Sequence, residues 1–292
     1  MKVTGIGGGH GLAATLLAAR HYAQEIAAVV TVADDGGSSG KLTRELGIPP
    51  PGDIRNCLVA LAGDHERARL YQHRFQEGAL TGHTVGNLII AALTEMTGDF
   101  AEAVAAAGRM LGCEGRVYPS TSEVVALMAQ VRGGVVRGQV SVAQTKDPIQ
   151  ALFLEPSSPR ADPGAVRAIL EADQVVLGPG SLFTSLIATI LVPGVKKALR
   201  ETGARRVFVC NARMQKGETE GLDAAAHVES LLAHAGADAV DVVVVQAPAL
   251  PVDGVDVSSL KSAGLRVVEA DVATESGAHD PERLAAVLAS LG

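Results

Sequence analysis

Apolar residues occur along this chain in two spacings. Residues Lys2–Gly7 and 25–32 are short, nearly continuous apolar runs of the kind found in strands buried on both faces, and 12–20 between them carries Ala and Leu at helical spacing. This order predicts a βαβ opening. The stretch 33–52, rich in Gly, Pro and Asp, is too polar for core and is predicted as loop, with 34–40 a mobile part of it. Helical periodicity returns in 54–61, 66–75, 85–96 and 100–111, the last with Asp99 as N-cap. From 116 to 154 the pattern is valine-rich alternation, and Gly133-Gly134 separates 124–131 from 135–142 as the turn of an antiparallel hairpin. Strand and helix then alternate: 174–177 and 181–191, 206–210 and 223–235, 240–246, and a last helix over 281–291. The predicted fold class is α/β, a doubly wound, mainly parallel sheet with an inserted helical and hairpin region at about 53–155.

In such sheets ligands bind at the carboxyl ends of the strands, so loop position is itself evidence. Four polar, glycine-rich loops follow predicted strands, at 7–11, 34–40, 178–181 and 211–221, and together they predict one cleft. The first, Gly7-Gly8-Gly9-His10-Gly11, leads from a strand into a helix, where exposed backbone N–H groups and the helix dipole favour a phosphate. Gly178-Pro179-Gly180-Ser181 repeats that logic, with Ser181, Thr184 and Ser185 as donors in the next helical turn and N-capping as the alternative role of Ser181. The dinucleotide fingerprint is met only loosely, as Gly9-x-Gly11-x-x-Ala14 with Asp34 after the second strand. The second glycine-rich loop behind Asp34 argues against that reading, and NAD is not expected.

Asp34 and Asp35 are candidates for holding a hydrated divalent ion such as Mg2+ against phosphates, or for acting as a base; a solvated turn is the plainer alternative. Asp53 follows three prolines and reads first as an N-cap, with Arg55 and Asn56 in the same first turn; an arginine there is disfavoured unless an anion is near. His83 and Asn87 share a helical face at i and i+4, and Asn211 directly follows its strand, with Gln215, Glu218 and Thr219 beyond it. No nucleophile beside a base is visible, nor any G-x-S-x-G.

The 292 residues are ample for a large α/β core. Hydrophobic residues make up 47%, yet no run approaches the roughly 18 to 20 needed to cross a bilayer, and the first strand begins too early to leave room for a signal peptide. A cytoplasmic protein without membrane insertion is expected. A formal charge of −7 disfavours nucleic acid as partner. Cys57, Cys113 and Cys210 form no CxxC pair, and the 8 histidines no HExxH.

Gly7-Gly8-Gly9-x-Gly11-Leu12, the run from Thr31 to Gly40, the block from Pro49 to Asn56, Gly82-His83-x-x-Gly86-Asn87-Leu88, Thr97-Gly98-Asp99-Phe100 and Gly178-Pro179-Gly180-Ser181-Leu182 together resemble the YvcK family, the bacterial gluconeogenesis factors, a branch of the CofD-like superfamily. The likeness covers essentially the whole chain. It implies a single Rossmann-like, CofD-like domain over 1–292 in the cytoplasm, with a role in cell shape and peptidoglycan precursor supply on gluconeogenic carbon sources. It further implies binding of a UDP-sugar such as UDP-N-acetylglucosamine. CofD relatives imply the alternative, a metal-dependent transferase moving a phospholactyl group from a nucleotide-activated donor. The resemblance and the loop reading agree on the cleft, and nucleotide and phosphates are assigned to Gly8, Gly9, His10, Gly11, Asn87, Gly178, Gly180, Ser181 and Asn211. Metal falls to Asp34 and Asp35, possible with a bound nucleotide, and Asp53, Arg55, Asn56, His83 and Thr184 fall to the rest of the cleft. A homo-oligomer is expected. Two departures bear on the ligand: His10 stands where the family has Thr, and Ala278-His279-Asp280 stands where it has Arg-His-Asp.

Overall fold

The computed structural model describes residues 1–213, 215, 218, 219, 222–248 and 264–292. Strands β1 (Lys2–Gly7) and β2 (Glu25–Val30) pair in parallel around helix α1 (Gly9–Ala19), as the apolar runs predict. Helices α2 (Gly37–Leu46), α3 (Gly52–Ala60), α4 (His65–Gln72), α5 (Val85–Thr97) and α6 (Phe100–Leu111) follow, then strand β3 (Arg116–Pro119). Strands β4 (Ala126–Val131), β5 (Gly134–Arg137) and β6 (Ala151–Glu155), with helix α7 (Gln139–Ala143) before the last, form a separate antiparallel sheet. The parallel pattern resumes with α8 (Pro163–Leu170), β7 (Gln174–Leu177), α9 (Leu182–Ile190), α10 (Pro193–Glu201), β8 (Arg205–Val209), α11 (Ala224–Ala235), β9 (Val242–Gln246), β10 (Arg266–Ala270) and α12 (Pro281–Ala289).

The main sheet has the order β10-β9-β8-β7-β1-β2-β3, every pair parallel. Its strands are covered on both faces, which accounts for their continuous apolar runs. Ile6, Val29, Val175, Leu177, Phe208 and Val243 join one core with the helices from α8 to α11 and the small sheet. Val3, Val30, Val176, Val207 and Val244 join the other with α1, α3, α5, α6 and α12. The chain leaves β1 toward β2 and β3 on one side and returns through β7 to β10 on the other, so the direction of winding reverses between β1 and β7. That reversal opens a crevice at the strand ends. Among the described residues no single helix is long and apolar enough to cross a membrane; α9 and α10 together have the length but meet at 78°, and α9 is core.

Several elements depart from the sequence-based expectation. Residues 37–46 are helix, not mobile loop: α2 caps off with Gly47 at φ 67°, and its Leu42 packs with Ile48 and Ala91. Its two glycines and two serines hide a helix whose support is tertiary. The hairpin partner of β4 ends at Arg137, because Gly138 at φ 100° turns the chain into α7, whose Val140 N–H donates to Asp35 Oδ1 at 3.0 Å. Strand β3 belongs to the main sheet rather than to the antiparallel excursion, and α8, α10 and β10 were not foreseen.

Gly40 is the position on which the 34–46 segment closes. A Cβ there would stand 1.9 Å from the Asp35 carbonyl oxygen, which is backbone and cannot swing aside. Gly40→Ala is expected to destabilise the fold by about 1–3 kcal/mol, as overpacking does, read as a lower midpoint in urea unfolding.

Candidate functional site

The loops after β1 and β7 meet at the crevice. A Cβ on Gly11 would lie 2.3 Å from the Pro179 carbonyl oxygen and 2.6 Å from Gly180 Cα, so only glycine permits the contact. Thr15 Oγ1 donates to the Gly178 carbonyl at 2.7 Å, and the Asn211 side chain grips Gly180 by both ends, accepting its N–H at 2.9 Å and donating to its C=O at 2.8 Å. Asn211 therefore shapes the second loop. Beside this junction lies a cavity of about 350 Å3 lined by His10, Gly11, Gly180, Asn211, Arg213, Gln215 and 276–279, a size suited to a small-molecule ligand. Cavities of about 610 and 560 Å3 lie at the opposite, amino end of the strands, beside Lys2, Glu25 and Arg116. They lie away from the loops after β1 and β7, whereas ligands of such sheets bind at the carboxyl ends of the strands, so the smaller cavity is the candidate site.

Both helix starts expected to hold phosphate are met by the protein's own carboxylates. The Gly9 N–H, in the first turn of α1, bonds the Asp53 carboxyl, and a Cβ on Gly8 would stand 2.4 Å from Asp53 Oδ2. At the start of α9, Glu218 accepts the N–H groups of Phe183 at 2.8 Å and Thr184 at 3.0 Å, and both hydroxyls of Ser181 and Thr184 bond it. Ser181 thus makes no backbone cap of its own. The helix dipole explains why carboxylates settle there. Glu218, left uncommitted by sequence reasoning, was detectable only as an acid in a strand-end loop. The remainder of the predicted 211–221 loop, at 214, 216, 217, 220 and 221, lies outside the described residues.

On the β2 side a polar chamber joins residues distant in sequence. Asp53 is inside the first turn of α3 rather than its N-cap, which is Pro51. Burial and the neighbouring Asp34 carboxylate push Asp53 up to about 7, against the pull of the Gly9 N–H and Arg55. Burial likewise raises Asp34, opposed by hydrogen bonds from the Gly36 N–H and the Ser39 hydroxyl. Asp35 is exposed and caps α7. Buried Ser38 bridges His83 Nδ1 at 3.0 Å and Asn87 Nδ2 at 3.1 Å, leaving Asn87 Oδ1 without a partner. Buried Arg55 donates to Asn56 Oδ1 at 2.6 Å, while its Nε finds no partner. His279, walled by the Cys210 backbone, is pushed by burial down to about 4 and is neutral at pH 7, and Asp280 caps α12. Among the described residues no group of three or more His, Cys, Asp or Glu could hold a metal by itself.

The raised Asp53 has a stability consequence. Its folded value of about 7 exceeds the ordinary carboxyl value of about 4, so its stabilising contribution is present below pH 4 and is lost as pH rises through 7. Asp53→Asn is expected to flatten the fall in thermal stability between pH 5 and 8 and to unfold above wild type at pH 8, by on the order of a few degrees. Circular-dichroism melting at each pH checks this, and parallel curves for the two proteins would refute it.

The family model described as 2-phospho-L-lactate transferase CofD matches residues 3–282. A putative gluconeogenesis factor of Mycobacterium tuberculosis H37Rv is 44% identical over 98% of this chain and 89% of its own length. The gluconeogenesis factor of Bacillus subtilis 168 is 39% identical over 99% and 98%. A crystal structure of a UPF0052 family member from Bacillus halodurans superposes with a TM-score of 0.94 at 36% identity, covering 98% of this chain and 97% of that one. The glycine-lined junction of β1 and β7 is therefore seen in a member of the CofD family, on the branch of the gluconeogenesis factors.

Proposed function

We propose that this chain binds a nucleotide sugar, a UDP-sugar such as UDP-N-acetylglucosamine, in the strand-end cleft, and acts in the cytoplasm as a regulator of cell shape and peptidoglycan precursor supply during gluconeogenic growth. The observation that carries the reading is the cavity at the β1/β7 junction, where the backbone of Gly11 and Gly180 forms part of the wall and, among the described residues, no carboxylate lines it. Such a wall accepts a diphosphate that side chains would crowd out. Regulation rather than turnover is supported by the absence, among the described site residues, of a nucleophile hydrogen-bonded to a free base: Ser181 and Thr184 bond Glu218, and Ser38 bonds His83 and Asn87 inside a closed network.

A divalent ion suits Asp34 and Asp53 better than Asp34 and Asp35. Both are raised by burial, Asp53 also by the Asp34 carboxylate, a penalty that a cation beside them relieves, whereas the Asp35 carboxylate accepts the Val140 N–H of α7. Mg2+ commonly takes one or two carboxylates together with ligand phosphates and waters, so two protein ligands are sufficient. When bound, the ion would neutralise the charge of a phosphate ester.

A second reading, a phospholactyl-type transferase with a nucleotide-activated donor, draws on the matched family model and on Asp53, whose value of about 7 suits a base at neutral pH. Calorimetric titration separates the readings. UDP-N-acetylglucosamine with Mg2+ is expected to bind saturably without being consumed over hours, and Asp34→Asn to weaken the Mg2+-dependent part by about tenfold or more. Unaltered metal dependence in that variant would remove Asp34 from the metal. Incubation with a deazaflavin acceptor and an activated phospholactate is expected to yield nothing; product that disappears in Asp34→Asn would establish the transferase.

A further inference from the structure

The nucleotide-binding cavity contains a cation that none of the glycine-rich motifs announces. Arg213 follows β8 by four residues, and its side chain lies across the 274–279 turn rather than out into solvent. Nη2 donates to the Glu275 carbonyl. The stem passes so close over Gly277 that a Cβ built there would stand 2.2 Å from Arg213 Cδ, 2.4 Å from Nε and 2.6 Å from Cγ. Gly277 also has φ 81°, so the turn has both the conformation and the bare surface the arginine needs. An exposed arginine with no role loses several rotors when pinned over a turn, a cost a functional position can offset.

The charge around it is one-sided. Among the described residues that line the cavity, Arg213 alone is a full cation and none is a carboxylate. The neighbouring anion seats are taken: Asp53 accepts the N–H at the start of α1, and Glu218 those at the start of α9. An incoming diphosphate consequently finds its positive partner at Arg213, in the cavity that Gly11 and Gly180 also line. The guanidinium fork matches phosphate oxygens two at a time, which an ammonium cannot do.

We propose that Arg213, pinned over Gly277, is the residue that binds the diphosphate of the ligand in this cleft and sets its preference for charged nucleotides over nucleosides. This rests on the nucleotide-sugar reading for the identity of the ligand, but not for the anion site. The cavity wall beyond Gly277 continues with Ala278, so a second position can present a cation to the same space.

The test uses the full chain, with inorganic pyrophosphate, uridine, UDP and UDP-N-acetylglucosamine as probes in calorimetric titration. Arg213→Met keeps a stem over Gly277 and removes the charge; its thermal unfolding without ligand is expected to match wild type. Pyrophosphate, UDP and UDP-N-acetylglucosamine are expected to bind about 10-fold to 100-fold more weakly, with uridine unchanged. Adding Ala278→Arg to Arg213→Met is expected to restore part of the pyrophosphate affinity. Pyrophosphate that fails to bind wild type, or binds Arg213→Met equally well, overturns the proposal, as does an equal loss for uridine. Pyrophosphate binding lost in Arg213→Met while UDP-N-acetylglucosamine binds neither protein would sustain the anion site and bring down the nucleotide-sugar reading instead.

Discussion

The structure depends on one close approach, that of the turn after β1 to the turn after β7. With β1 and β7 paired in register from Val3 with Gln174 to Ile6 with Leu177, both chains leave the sheet at the same height. They can do so side by side only because Gly11 and Gly180 leave their backbones in contact. Helices α1 and α9 both start from that point, and the cavity exists because backbone occupies the space that side chains would fill. Asn211 ties the third strand end into the same junction through Gly180. A bulky residue at Gly11 would disturb two helix origins and the site together, so stability and binding are coupled here.

Electrostatics divides the cleft into two halves. On the β2 side, Asp34 and Asp53 sit in a buried setting that raises both, beside Arg55 and the Ser38–His83–Asn87 network. On the β8 side the cavity carries Arg213 and, among the described residues, no carboxylate. The start of α1 lies between them, its Gly9 N–H turned to Asp53. A ligand with a negatively charged centre and a polar end suits such a division, with the anion on the arginine side and any cation on the acidic side. The acidic balance of the whole chain says nothing of this local arrangement.

Much of the fold was legible because hydrophobic periodicity is a local signal. The runs at Lys2–Gly7, Gln174–Leu177 and the valines of β9 are buried on both faces, and buried parallel strands have that signature. Helices α5 and α6 showed their amphipathic spacing, and Asp99 caps α6 as its position suggested. Helix α2 was missed because the Gly and Ser of its first half have little helical preference; its stability comes from Leu42 against Ile48 and Ala91, contacts formed only after folding. The end of β5 was misplaced for the same reason, since the cap that turns residues 138–143 into a helix comes from Asp35, about a hundred residues earlier in the chain.

For the site, the sequence by itself determined where a ligand could go: glycines after strands specify bare backbone at the carboxyl edge of a parallel sheet, and that follows from local chemistry alone. Which side chains face that space was decided by tertiary structure. Asp53, an apparent helix cap, became the partner of Gly9 and Asp34; Asp35 turned to α7; Ser181 and Thr184 were claimed by Glu218; and Arg213 was laid over Gly277. Each of these depends on two segments far apart in the chain meeting at a particular distance, and charge interactions fall off with a distance that no spacing in the sequence encodes.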